Sequence, residues 1–113
     1  MRTLPVLVAS LLISCAAPSD VKVIVGAQLD PGHDGPRLEH SVIVIRDGKF
    51  QAVGPQASTP VPKGAEITSG YGKVVTPPIE TGLIATGEPA DLVLRDGATK
   101  SAERIMHAGE WTQ

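Results

Sequence analysis

Hydrophobic positions along this chain fall into short, β-branched runs, and none keeps a helical period. Val21-Lys22-Val23-Ile24-Val25-Gly26-Ala27 predicts a first strand and Ser41-Val42-Ile43-Val44-Ile45-Arg46 a second. Between them, Gln28 to His40 contains Asp30-Pro31-Gly32 and Asp34-Gly35-Pro36, which is turn chemistry. Asp47-Gly48 supplies the two positive-φ residues of a type I′ hairpin, so Lys49 to Gly54 returns as a third strand. Simple alternation there puts Phe50 and Ala52 on one face and Gln51 and Val53 on the other.

A loop from Pro55 to Gly64 follows, where Pro60 and Pro62 exclude a central strand. Ala65-Glu66-Ile67-Thr68 predicts a short strand, Gly70-Tyr71-Gly72 a turn, and Lys73-Val74-Val75-Thr76 a strand stopped by Pro77-Pro78. Ala90 to Arg95 is a further strand ended by Asp96-Gly97. Glu103 to Ala108 is another, turning at Gly109 into Glu110-Trp111-Thr112. No segment sustains a 3.6-residue period over helical length. The pattern predicts an all-β domain over 21–113.

The first twenty residues follow a different pattern. Met1-Arg2 gives a small positive start, and Leu4 to Ile13 is almost wholly apolar. A run of about ten residues is too short to span a bilayer as a helix, which needs ~20, but suits the apolar region of a signal peptide. Leu12-Ile13-Ser14-Cys15 resembles a bacterial lipobox, which implies cleavage after residue 14, lipidation of Cys15 and a short tether over 15–20. The resemblance also implies an apolar signal helix over 1–14. Ala16 rather than an acidic residue follows the cysteine, which implies the outer membrane, facing the periplasm. Cys15 is the single cysteine, so no disulfide forms within the chain. Several acyl chains, at ~0.8 kcal/mol per buried CH₂, would anchor the protein stably.

Removing the signal takes Arg2 with it and leaves nine basic against twelve acidic side chains. With no basic patch, nucleic acid is excluded as an expected partner. Aromatics are confined to Phe50, Tyr71 and Trp111, and glycine and proline are frequent, as in short strands joined by turns. A domain this small gains only modest stability from its own core.

These elements resemble a known family. Val25-Gly26-Ala27, the run Val42 to Gly54 with its Asp47-Gly48-Lys49 turn, and Gly72-Lys73-Val74-Val75-Thr76-Pro77 are similar to the opening segment of the amidohydrolase superfamily, as in its imidazolonepropionase, dihydroorotase-like and prolidase-like members. Gly87-Glu88-Pro89-Ala90-Asp91-Leu92-Val93-Leu94 and Ile105 to Glu110 are similar to its closing segment. The resemblance implies the composite β-sandwich formed when those two segments pair. In the family a catalytic (β/α)₈ barrel of at least ~200 residues separates them. Here only Pro78 to Thr81 stand in its place. The expected Pro-Gly is Pro77-Pro78, no His-x-His follows, and Ser69 stands where an acidic residue is expected. Both segments are present, so an internal deletion fits better than a truncation.

Residues able to do chemistry are few. A catalytic zinc needs about three protein ligands, and His33, His40 and His107 form neither His-x-His nor an i, i+4 pair. Asp30, His33 and Asp34 could touch one ion, but a solvated loop is the default reading of them. No Gly-x-Ser-x-Gly elbow accompanies Ser19, Ser58 or Ser101. Asp91 is expected to make a structural hydrogen bond at its strand entrance, and Trp111 to be a packing or rim residue rather than a binding platform.

The sequence therefore leads to no catalytic, cofactor-binding or metal-binding residue, no cofactor, and a single modification site, Cys15. The function expected is that of a non-catalytic envelope lipoprotein domain. The alternative is a relic or subunit linked to metal-dependent hydrolysis of C–N bonds. Expected partners are the membrane, through the lipid on Cys15, and a second copy or another protein on the surface that a barrel would have covered.

Overall fold

The computed structural model describes residues 20–32, 35–79 and 81–112. Among them the strands are β1 (Val21–Val25), β2 (Gln28–Leu29), β3 (Ser41–Arg46), β4 (Lys49–Pro55), β5 (Glu66–Ser69), β6 (Lys73–Thr76), β7 (Leu92–Asp96), β8 (Ala102–His107) and β9 (Glu110–Trp111). They form a four-stranded sheet in the order β4-β3-β1-β5 and a five-stranded sheet in the order β2-β6-β7-β8-β9. The all-β expectation holds for the described residues. The expected signal peptide, Cys15 and the expected tether up to residue 19 lie outside them, as do His33 and Asp34.

The two sheets meet over one apolar layer. Ile24, Ile43, Ile45 and Phe50 come from the first sheet, and Leu29, Val75, Leu92, Leu94 and Met106 from the second; all are buried. The chain passes between sheets at Gly26, whose φ of 90 is open to glycine but strained for other residues. Beyond that corner β2 pairs with β6. Ser41 secures the corner, its backbone N–H and its hydroxyl both donating to the carbonyl of Ala27 at 2.9 and 2.8 Å. At the opposite end, the start of β4 is tied to the segment before β7. Phe50 N–H donates to Glu88 O at 2.9 Å, Gly87 N–H to Phe50 O at 2.8 Å, and Ala90 N–H to Gly48 O at 2.8 Å.

Val21, Val23, Val42 and Val44 form a second buried cluster on the other face of β1 and β3. Burial on both faces explains why these two strands read as nearly continuous apolar runs. β4 and β5 lie at opposite edges of the sheet, so the chain between Pro55 and Glu66 must carry from one edge to the other. Ala65, at the end of that connection, packs against the second cluster.

The Asp47-Gly48 hairpin forms as expected, with φ of 55 and 76. The face assignment within β4 is corrected. Ile45 pairs with Phe50 and Val44 with Ala52, so Gln51 is an extra residue in a β-bulge. The bulge resets the alternation: Phe50 and Val53 face the inter-sheet core, and Ala52 faces the second cluster. A second bulge at Glu103 separates the pairs Leu94–Arg104 and Arg95–Ala102. β2 lies in a stretch expected to hold turns alone, and its two residues are too few to leave a periodic signal.

The β7–β8 turn is held by side-chain capping. Thr99 and Ala98 N–H donate to Asp96 Oδ1 at 2.9 and 2.8 Å, and these two bonds hold the Asp96 carboxyl below the usual carboxylate value.

Candidate functional site

The end of β6 is where the sequence resemblance passes from an opening-type to a closing-type segment. β6 and β7 pair directly there, antiparallel, from Lys73–Asp96 to Thr76–Val93. The residues between them make a compact connection. Gly82 N–H donates to Ile79 O at 2.9 Å, closing a turn, and Ile84 N–H donates to Pro31 O at 3.1 Å. Ile84 is buried in the core, while Ile79 is 63% and Leu83 40% exposed. Gly32 fits tightly here: a Cβ on it would lie 2.6 Å from Gly82 O and 2.9 Å from the Pro77 ring.

The described histidines lie apart. His40 stands just before β3, with its ring 6.2 Å from that of Tyr71. Tyr71 Oη accepts from Gln56 Nε2 at 2.6 Å, and Gln56 N–H donates to His40 O at 2.9 Å. His107 stands near the opposite end of the sandwich, beside the turn into β9. Among the described residues no three His, Cys, Asp or Glu side chains gather as metal ligands. Asp30 pairs instead with Arg37, at 3.3 Å.

Asp91 has the structural role expected of it. Its Oδ1 accepts the Ala108 N–H at 2.7 Å and lies 3.2 Å from His107 Nδ1. Ala108 has a φ of 49 and Gly109 one of 85, so this carboxylate braces a left-handed turn. Asp91→Ala is expected to lower stability by about 1 kcal/mol and Asp91→Asn by much less, because an amide oxygen can still accept that N–H. Urea denaturation of both variants checks this. Equal losses would show that the hydrogen bond is not what matters.

Trp111 packs against the main core, with the Arg104 guanidinium 4.0 Å from its ring centre, a stacking role that accords with its expected place at a rim. A cavity of about 660 Å³ lies between the hairpin turns and is lined by charges of both signs, Asp20, Lys22, Asp47, Lys49 and Glu110 among them. Lys22 and Glu110 approach to 3.8 Å across it. Sequence reasoning missed a basic groove around Arg95. Arg95 and Lys100 share the β7–β8 hairpin, but Arg37 is far from them in the chain, and only the fold brings the loop after β2 beside that hairpin.

Among the solved structures that resemble this chain are the following two. One is a putative prolidase from Bifidobacterium longum, 27% identical with a TM-score of 0.48; the match covers 54% of this chain and 16% of that one. The other is molinate hydrolase, 24% identical with a TM-score of 0.47, covering 54% of this chain and 13% of that one. This chain thus spans less than a fifth of either. No protein-family model and no curated protein matches the chain.

Proposed function

We propose that this chain is a non-catalytic domain of the cell envelope, related to the composite sandwich of amidohydrolases and anchored by a lipid on Cys15. The observation that carries this reading is that only fifteen residues, 77–91, connect β6 to its partner β7, where a catalytic barrel needs at least ~200. A sandwich whose two halves close on each other in this way needs no barrel between them. The sequence resemblance of both halves supports the same reading, and the sequence at Leu12-Ile13-Ser14-Cys15 supports the anchor. The domain then serves an interaction or a structure at the outer membrane, facing the periplasm.

The test has two arms. Purified protein incubated with zinc is expected to retain no stoichiometric metal and to hydrolyse neither cyclic amides nor N-acyl amino acids. Either activity or tight metal would overturn the non-catalytic reading. For the anchor, cells fed radiolabelled palmitate are expected to label the wild-type chain, with labelling lost completely in Cys15→Ser. Persistent label in that variant would sink the lipobox assignment.

The exposed Ile79 and Leu83 favour a second reading, in which the chain is a subunit that docks on a separate barrel-containing hydrolase. Recovery of such an enzyme as a stoichiometric companion from solubilised envelope would support that reading. Self-association through the same surface would instead appear as a dimer by light scattering.

A further inference from the structure

Arg95 on β7 borders a surface groove of about 300 Å³ together with Asp30, Arg37 and Lys100. Two bonds hold its guanidinium in place. Nε donates to Thr76 Oγ1 at 3.0 Å and Nη1 to the Lys100 carbonyl at 3.2 Å. Arginine carries five N–H donors, so three remain to be satisfied. Among the described residues no carboxylate pairs with Arg95, and the one carboxylate in the groove, Asp30, is engaged by Arg37 at 3.3 Å. Among the described residues three cationic side chains thus border the groove beside one carboxylate, the Lys100 ammonium also donating to Gly97 O, in a chain with more acidic than basic side chains. Past Thr76 and Arg95 the surface continues into a second depression of about 270 Å³, lined by Gly32, Pro77, Pro78 and Ile79. Ile79, at 63% exposure, is the most exposed large apolar residue described.

We infer that this continuous groove binds a small monocarboxylate with an apolar tail. The carboxylate sits on the free edge of the Arg95 guanidinium, with Lys100 and Arg37 around it, and the tail covers Pro77, Pro78 and Ile79. A pinned guanidinium suits the planar, two-oxygen geometry of a carboxylate, and little ordering entropy is lost when it binds. Asp30 lies in both depressions and disfavours a second negative charge, which selects a carboxylate over a phosphate dianion.

The experiment titrates 4-methylpentanoate into the full chain in lipid nanodiscs, followed by amide chemical shifts, with protein-free nanodiscs as the blank. Saturable shifts are expected at Thr76, Ile79 and Arg95. The uncharged 4-methylpentanamide, inorganic phosphate and the Arg95→Gln variant are each expected to weaken binding about tenfold, as loss of a charge-assisted hydrogen bond would. Equal binding of the amide would reduce the site to apolar contact, and equal binding of phosphate to a general anion patch. Absence of saturation would remove the site altogether. Each of those results overturns the inference. If Arg95→Gln does not fold, the double variant Arg37→Gln/Lys100→Gln, which alters more exposed side chains, decides instead: several-fold weaker binding supports the site and unchanged binding overturns it.

Discussion

Phe50→Ala is expected to cost the domain about 3–5 kcal/mol, the loss typical when a buried phenylalanine is truncated. Phe50 is 1% exposed and is the largest side chain in the inter-sheet layer. Its backbone also carries the two hydrogen bonds that tie β4 to Glu88 and Gly87, so collapse around a cavity would strain the join between the sheets. Native domains are stable by only about 5–15 kcal/mol, and small ones lie near the lower end, so this one substitution removes most of the margin. Urea denaturation followed by far-UV circular dichroism should show a midpoint far below that of wild type. Phe50→Leu, which refills much of the volume, should lose less than about 1.5 kcal/mol. The same residue tests the bulge. A double-mutant cycle of Phe50→Ala with Val53→Ala should show coupling of at least about 0.5 kcal/mol, because the two share a face. The cycle with Ala52→Gly should show essentially none. The opposite result would restore simple alternation along β4 and overturn the bulge at Gln51.

That contrast shows where the sequence is informative. The hairpin at Asp47-Gly48 is legible because its requirement is local: two adjacent residues must reach positive φ, and Asp-Gly does so cheaply. The runs in β1 and β3 are legible because burial on both faces leaves almost no polar position in them. The bulge at Gln51 is not, since a single inserted residue reads in sequence as uninterrupted alternation. Only the partner strand, with Ile45 opposite Phe50 and Val44 opposite Ala52, reveals it. β2 escaped notice because its two residues are fixed by pairing with Val74 and Val75 rather than by their own propensity. Asp91 could be assigned a structural bond from its place before an apolar run, but its acceptance of the Ala108 N–H depends on β8 and β9 folding back beside it. The basic groove had no sequence signal at all. Arg37, Arg95 and Lys100 belong to two separate stretches of chain, and tertiary structure alone makes them neighbours.

Gly109→Ala is expected to destabilise by roughly 2–4 kcal/mol, through two causes that a pair of controls can separate. Gly109 has a φ of 85, where an L side chain meets its own backbone at a cost of roughly 1–2 kcal/mol. It is also buried against the other hairpin: a Cβ there would lie 2.9 Å from Gly48 Cα and 3.4 Å from Ile45 Cγ2. Backbone cannot move aside as a flexible side chain can, so the β3–β4 and β8–β9 turns must separate, pulling on the Gly109 N–H bond to Ala90 O at 3.0 Å. Gly64 isolates the first cause. Its φ is 80, yet a Cβ on it meets nothing within 4 Å, so Gly64→Ala should lose only about 1–2 kcal/mol. Ala108→Gly isolates the neighbouring strain at φ 49 and should be neutral to stabilising by up to about 1.5 kcal/mol, because relief of roughly 1–2 kcal/mol in the native turn exceeds about 0.4–1 kcal/mol of added unfolded-state entropy. Thermal or urea denaturation of the three variants reads all of these terms. If Gly109→Ala loses no more than Gly64→Ala, the two turns do not press together, and the contact that locks the closing segment onto the opening one lies elsewhere. If it loses the extra increment, the junction of the two segments is a packed interface in its own right. That is the physical condition for the two halves of this sandwich to hold to each other directly.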